Sequence, residues 1–250
     1  MSGIRHEPFA RTHSQHRARG ETIDRHRHDT HQLVYVSSGL VTIRTERGSY
    51  LAAPDRAMWI PAGIWHEHRF YGDTLFHSVG FPVNDALVSA DQPTVLTVGR
   101  LFREVVVAYA EEGLVPAVGD HLRLVLRDAL RAAEIQPQPL PDAKDPRLAA
   151  ACDTVLGDLA NPYRLSVLAS TSGASERTLS RLFRTEFGTT YPQWRTRARV
   201  FRAMIDLAEG VSVTQTATQC GWATTSAFIA TFTQVMGQTP GSYRSATMRA

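Results

Sequence analysis

No stretch of the 250-residue chain approaches the ~20 consecutive apolar residues that a bilayer span needs, so a membrane helix and a membrane partner are excluded. The first twenty residues are polar and rich in Arg and His, without the apolar centre of a secretory signal. Cysteine is scarce: Cys152 and Cys220 stand far apart, and without an export signal they are expected to be buried thiols rather than a disulfide framework. The compartment expected from these absences is cytoplasmic. Neither sign of charge dominates, with 27 basic and 24 acidic residues. Hydrophobic residues at 43% against charged ones at 20% rule out a mostly disordered or collagen-like chain. The length fits two domains of roughly 100–150 residues better than one.

What charge there is lies unevenly. From Arg147 to Ala250 eleven arginines face six acids, a surplus of five, whereas residues 1–146 carry a deficit of two. A moderately basic domain behind a near-neutral one suits a nucleic-acid partner, although a soluble surface with ordinary arginines gives the same count.

The seam between the two lies at Gln136 to Pro146, where four prolines in eleven residues forbid a helix and favour an extended, semi-rigid spacer. This divides the chain into a flexible arm at 1–18, a β-rich domain at 19–135, a Pro-rich linker at 136–146 and a helical domain at 147–250. Between Gln32 and Phe81, short β-rich runs such as Leu33-Val34-Tyr35-Val36 and Met58-Trp59-Ile60 alternate with turn residues, the pattern of an antiparallel sandwich or barrel. Val98 to Glu112 and Gly119 to Glu134 then read as amphipathic helices, with Leu101, Val105 and Ala108 on one stripe and Leu122, Val125, Leu126 and Leu130 on the other. Such helices pack on their own barrel or pair with a second copy of the chain, and the spacing does not choose between the two.

Beyond the linker one layout occurs twice. Leu165 to Phe183 holds a helix, a break at Ser172-Gly173-Ala174, a cap at Ser175 and a second helix through Leu179, Leu182 and Phe183. Val213 to Phe232 repeats it around Cys220-Gly221-Trp222, with Ala217 before the break and Phe228 and Phe232 after it. Helix, tight glycine turn, helix is the geometry in which one helix braces while the next enters a DNA major groove.

The residues of this region resemble the AraC/XylS family of bacterial transcriptional regulators. The resemblance runs over roughly Arg147 to Arg244. Its most specific part is Ala217, Gly221-Trp222, Ser226-Ala227-Phe228, Phe232, Gly237, Thr239-Pro240 and Tyr243-Arg244, and Leu168-Ala169, Leu182-Phe183, Phe187-Gly188 and Pro192 agree in the first unit. The resemblance implies that base-reading side chains lie near the start of each second helix: Arg177, Ser180 and Arg181 in the first unit, and Thr225, Ser226 and Ala227 in the second. Arg177 and Arg181, four apart, share one helical face, and a guanidinium can bond two guanine acceptors at once. Ala230 departs from the long polar or basic residue of several relatives, so the second unit is expected to supply thymine-methyl contacts, phosphate bonds and register. Thr224, Thr225 and Ser175 are as well explained as helix caps as by phosphate contacts.

In the first domain Gly20, His26, His28, Gln32 and Gly39 match the first cupin motif in spacing, with Gln32 in place of Glu. Pro61, Gly63 and His66 match part of the second, while Asp55 and Phe70 depart from it. This resembles the small β-barrel sensor domain that many AraC/XylS regulators carry. Residues two apart in a strand face one way, so His26, His28 and Gln32 would line one face and His66 would join them if the following hairpin folds over. Three imidazoles and an amide oxygen suit a divalent transition metal such as Zn, Ni, Fe, Co or Mn. The same residues could instead hydrogen-bond an organic or xenobiotic effector. His68 and His77 are candidates for a further ligand or a supporting donor, whereas His6, His13 and His16 in the arm are expected to be inert.

The expected architecture is therefore a multidomain α+β chain, a cupin-like β-barrel with flanking helices followed by an all-α domain of two helix-turn-helix units. The expected function is sequence-specific regulation of promoters, as activator or repressor, in response to a metal or small molecule. Double-stranded DNA and a second copy of the chain are the implied partners, with RNA polymerase admitted by the resemblance. A metal-dependent cupin enzyme with an accessory helical domain is the rival from another class. It is disfavoured because no acid or base beyond Glu67 and His68 is committed to the pocket.

Overall fold

The computed structural model describes residues 4–85, 87–88, 91–136 and 140–248. Two compact units divide between residues 138 and 139.

The first unit holds β1 (Arg5–Glu7), β2 (His13–Arg17), β3 (Thr22–His28), β4 (His31–Thr45), β5 (Gly48–Ala52), β6 (Arg56–Ile60), β7 (His66–Phe81) and β8 (Thr94–Thr97). Helices α1 (Arg100–Tyr109) and α2 (Pro116–Ala132) and the short strand β9 (Ile135–Gln136) complete it. The strands join in the order β1-β3-β7-β4-β6-β8-β9, with β2 also on β7 and β5 also on β4.

Two long strands, β4 and β7, form the spine, and an irregularity in β4 lets the sheet roll. Val34 and Val36 point to the same core as Val41 and Ile43, so the inward parity changes from even to odd between them. The register shifts on either side of Ser38, and Gly39 there has φ +71°, a left-handed conformation open to glycine at little cost. The rolled face encloses Val34, Val41, Met58, Ile60, Phe70 and Phe76. The opposite face, with Leu33, Tyr35, Trp59, Val79 and Phe81, is covered by Phe102, Val105 and Val106 of α1 and Leu126 and Leu130 of α2.

The stripe expected on the first helix is therefore displaced. Leu101 is 65% exposed, Val125 is exposed as well, and Phe102 takes the core position. An aromatic ring buries more apolar area than Leu, and the rotation that seats it turns Leu101 outward.

The arm expected to be flexible is instead paired from Arg5 onward. β1 runs parallel to β3, and β2 lies antiparallel to β7 with His13 opposite Ser78 and Arg17 opposite Thr74. Ala10 N donates to Thr30 Oγ1 (2.8 Å), and a Cβ on Gly80 would collide with the Ala10 carbonyl, so that glycine admits the arm. Polar residues hide this strand from hydropathy, because backbone pairing rather than side-chain burial holds it.

The second unit contains β10 (Leu140–Pro141), α3 (Pro146–Gly157), α4 (Leu165–Thr171), α5 (Glu176–Phe187), α6 (Tyr191–Ala208), α7 (Val213–Gln219), α8 (Thr225–Met236) and α9 (Pro240–Thr247). Of the expected linker, Gln136 lies in β9, Asp145 caps α3 and Pro146 opens that helix. Residues 137–139 lie outside the described residues. Caps set the helix starts: Ser175 accepts from Thr178 N, Thr190 and Gln193 form a capping box, and Thr224 accepts from Ala227 N. Phe183, Trp194, Leu168 and Leu179 fill the core of the first half, and Phe228, Phe232 and Tyr243 that of the second. Both cysteines are free and buried. Among the described residues no helix is long and apolar enough to cross a membrane.

Candidate functional site

The helical unit presents two second helices in equivalent places. On α5, Leu179, Leu182 and Phe183 are buried while Arg177, Arg181 and Arg184 are exposed and Ser180 half-buried. Among the described residues, Arg177 and Arg181 form no ion pair and no side-chain hydrogen bond, so their positive charge is not neutralised within the protein. Arg184, three residues after Arg181, extends the same basic face and was not among the expected readers. The i+3 spacing was the signal for it.

Helix α8 differs in chemistry. Phe228 and Phe232 face inward, and Ser226, Ala227, Ile229 and Ala230 are exposed with no basic residue anywhere in the helix. Thr224 uses its hydroxyl oxygen as the cap acceptor at 3.1 Å, which leaves its proton free to donate outward. Thr225 is half-buried.

Two arginines of α6 brace the segments around it. Arg195 Nη2 donates to the carbonyls of Leu159 (3.0 Å) and Asn161 (2.8 Å). One turn on, Arg199 Nε donates to the Cys220 carbonyl, and its guanidinium lies 3.8 Å from the Trp222 ring centroid. Burial pushes the Arg199 guanidinium down to about 10, with repulsion from Arg195 adding to it. The carbonyl and the ring compensate part of that desolvation. Trp222 in turn packs on Phe228 at 4.8 Å, so the turn of the second unit and the start of α8 are braced from α6. These two arginines carry no mark in a motif, because their role depends on what lies across the helix.

In the sheet unit, four histidines converge from two strands. His26 lies opposite His66 in the pairing of β3 with β7, and the i, i+2 alternation adds His28 and His68 to the same face. Ring centroids are 4.3 Å apart for His26 and His66, 4.8 Å for His26 and His28, and 5.1 Å for His66 and His68. All four are buried. Candidate ligand atoms of His26, His66 and His68 all lie within 4.8 Å of one another.

The tautomers of two rings follow from their backbone partners. His26 Nδ1 donates to the Asp24 carbonyl at 2.7 Å and His66 Nδ1 to the Ile64 carbonyl at 3.0 Å. Because a carbonyl only accepts, each Nδ1 carries the proton and each Nε2 keeps a lone pair. His66 Nε2, and both ring nitrogens of His28 and His68, are buried without a hydrogen-bond partner among the described residues.

Burial pushes every one of these rings toward the neutral form. His66 falls to about 3 and His28 to about 4, each lowered further by His26. His26 is also lowered, by burial above all, and His68 lies well below the ordinary histidine value, again by burial and then by the other three rings. Neutral imidazoles with free lone pairs are the ligand form for a cation. Glu7 Oε2 stands 3.8 Å from His28 Nδ1, the one carboxylate among the described ion pairs of this cluster.

Gln32 faces the rolled core with Val34 and Val36. Its Nε2 donates to Ser78 Oγ at 2.9 Å and its Oε1 is buried without a partner. His77 is not brought to the cluster. It lies on the opposite face, stacked on Tyr35, between the Ser14 hydroxyl at 2.7 Å and the Ser37 hydroxyl at 2.9 Å. Nine residues separate His77 from His68, an odd number, and in an alternating strand that reverses the face. His77, like His13 beside Phe76, thus helps to dock β2 rather than to bind a ligand.

Two helix-turn-helix units following in sequence a sheet unit with an inward-facing histidine cluster are the make-up of a ligand-binding, DNA-binding regulator. Residues 168–246 match the family model of a helix-turn-helix domain, and residues 10–114 match that of an AraC-like ligand binding domain. The chain belongs to the AraC/XylS family of transcriptional regulators. It is 26% identical to the HTH-type transcriptional regulator NimR of Escherichia coli strain K12 over 221 residues, 87% of this chain and 81% of NimR. It is 34% identical over 106 residues to the HTH-type transcriptional regulator RipA of Corynebacterium glutamicum, 42% of this chain and 32% of RipA. Among solved structures it resembles the DNA-binding domain of AdpA in complex with a target DNA, at 32% identity with a TM-score of 0.38, covering 41% of this chain and 93% of that one. The protein is a DNA-binding transcription regulator with an N-terminal ligand-binding domain, and not an enzyme.

Proposed function

We propose that this regulator controls promoters in response to a divalent transition-metal ion held by the histidine cluster, with His26, His28 and His66 in the motif positions. The observation that carries this reading is the set of buried, neutral imidazoles with ring nitrogens lacking protein partners. Leaving such nitrogens unpaired costs roughly 1–3 kcal/mol each, which a bound cation would offset. A ligand changes DNA binding only through a difference in its affinity for two arrangements of the protein, so the ion must favour one of them.

On DNA, Arg177 and Arg181 read guanine edges with Ser180 beside them. Thr225, Ser226 and Ala227 contact thymine methyls and phosphate, and Thr224 donates to phosphate. A second copy of the chain supplies the second set of readers, packed along the exposed Val118 and Val125 of α2. Sedimentation equilibrium is expected to give the mass of a dimer, and a single-chain mass at micromolar concentration refutes that part.

The test begins with an operator recovered from the genomic fragments the protein retains. Fluorescence anisotropy is expected to give a different affinity for it with zinc or nickel than after chelation. Arg181→Ala is expected to weaken operator binding by about 1–3 kcal/mol and to relax preference at one base pair, with little change on random DNA. Equal affinity with and without metal contradicts the sensor, and equal loss on both DNAs contradicts Arg181 as a reader. A second reading, an organic effector, is favoured by the aromatic wall of Phe70 and Phe76 beside His68. It predicts a response to an organic ligand that survives chelation.

A further inference from the structure

We propose that His68, which no motif position marks, is a direct metal ligand, and that it takes the place that motif spacing gives to Gln32. The donor set is then the four imidazoles of His26, His28, His66 and His68. This rests on the metal reading given above and deepens it by naming the donor set and the class of ion.

The geometry points to His68 on three independent grounds. Its ligand nitrogen lies within 4.8 Å of those of His26 and His66; bonds of about 2.0–2.1 Å set two ligands on one ion roughly 3.4 Å apart at the tetrahedral angle and at most ~4.2 Å apart, so small side-chain rotations bring the three onto one ion. Its ring is 2% exposed, yet both nitrogens lack a partner, with Phe70 stacked at 6.3 Å and Phe76 edge-on at 5.7 Å as its other neighbours. A phenyl ring would fill that position without the desolvation cost, so a second imidazole two residues after His66 needs a polar occupant of the cluster. Gln32, by contrast, gives its Nε2 to Ser78 and offers only its unpartnered Oε1, a carbonyl oxygen, which suits Zn, Ni or Co less well than an imidazole nitrogen.

Substituting an imidazole for a carboxamide changes the chemistry. A site of neutral nitrogen donors suits Zn, Ni or Co, whereas Mn prefers carboxylate and water oxygens. The 2+ charge is met by no carboxylate in the donor set. Glu7, 3.8 Å from His28 Nδ1, is placed to orient that ring and to compensate part of the charge.

The test uses cobalt(II) as the probe, because its visible absorption reports both uptake and coordination number. The full-length protein is freed of metal by chelation and titrated with cobalt chloride, in parallel with His68→Phe and Gln32→Leu, and with His68→Gln should the phenylalanine variant melt early. Wild type is expected to bind one equivalent with strong visible bands. Loss of an outer-shell partner alone costs ~10–100-fold in affinity, so losing a direct ligand in His68→Phe is expected to cost more than ~100-fold. Gln32→Leu is expected to stay within a few-fold of wild type, with the same spectrum. Manganese is expected to compete weakly with cobalt and zinc strongly. A His68→Phe variant with wild-type affinity and spectrum overturns the proposal, as does a Gln32→Leu variant that loses as much as the histidine variant. If wild type takes up no cobalt, the metal reading itself falls and the role of His68 with it. If wild type binds and both variants match it, the metal reading survives without His68.

Discussion

Gly221→Val is expected to unfold the second helix-turn-helix unit at temperatures where the wild-type chain is intact. Gly221 has φ +79°, and a Cβ there would lie 2.6 Å from the Leu159 carbonyl oxygen and 2.7 Å from Ala160 Cα. Left-handed backbone costs a β-branched residue about 1–2 kcal/mol by itself. The contact is worse, because what the side chain meets is backbone, which cannot rotate away. The carbonyl of Leu159 is also held by Arg195, so moving the loop breaks that bond too. The combined cost is set at roughly 3–5 kcal/mol, at the upper end for single substitutions. In a unit of about a hundred residues that corresponds to a fall in Tm of more than ~10 °C. Circular dichroism melting and operator anisotropy check it, with Gly221→Ala as a variant of the same sign and smaller size. A valine variant that melts and binds like wild type would show that the turn does not pack on the 159–161 loop.

Phe183→Ala is expected to cost about 3–5 kcal/mol and to weaken operator binding although Phe183 faces away from any duplex. The ring is fully buried and meets Tyr191 and Trp194 at 5.5 Å and Phe187 at 5.8 Å. It thereby locks α5 against the start of α6. Truncation leaves a cavity at the joint, and α5 loses the support that aims Arg177 and Arg181. Phe183→Leu keeps most of the volume and is expected to lose less on both readouts. Wild-type operator affinity in an alanine variant whose melting is clearly lowered would mean that the aim of α5 does not depend on this joint.

The two halves of the chain differed in how much the sequence disclosed. In the helical half, Gly173 and Gly221, the caps Ser175 and Thr224 and the apolar spacing of Leu179, Leu182 and Phe183 are local signals of local structure, and each element lies where they put it. Arg195 and Arg199 were silent, because an exposed arginine and one that braces a neighbouring turn have the same local spacing. In the sheet half, the alternation that brought His26, His28 and His66 together was legible from the motif. His68 needed the same period-2 argument applied once more, along β7. Strand β2 was not legible: His13-Ser14-Gln15-His16-Arg17 has no apolar alternation, and its place is fixed by the edge of β7 far along the chain. The rotation of α1 was missed for a similar reason, since Leu101 and Phe102 are both apolar and only the cover they provide for Tyr35 and Val79 decides between them.

The eighteen residues of α6 form one unbroken rod, about 27 Å long at 1.5 Å per residue, with a capped start, with Arg195 fastened to the 159–161 loop and Arg199 to the turn of the second unit. Such a strut has a fixed length and a fixed phase. A promoter in which five base pairs are inserted between the two short recognition elements would turn the second one to the far side of the double helix, where no bending of the protein can follow it. Ten or eleven inserted pairs would restore the facing but exceed the reach. Binding sites for this regulator should therefore tolerate drift in letters more readily than drift in spacing.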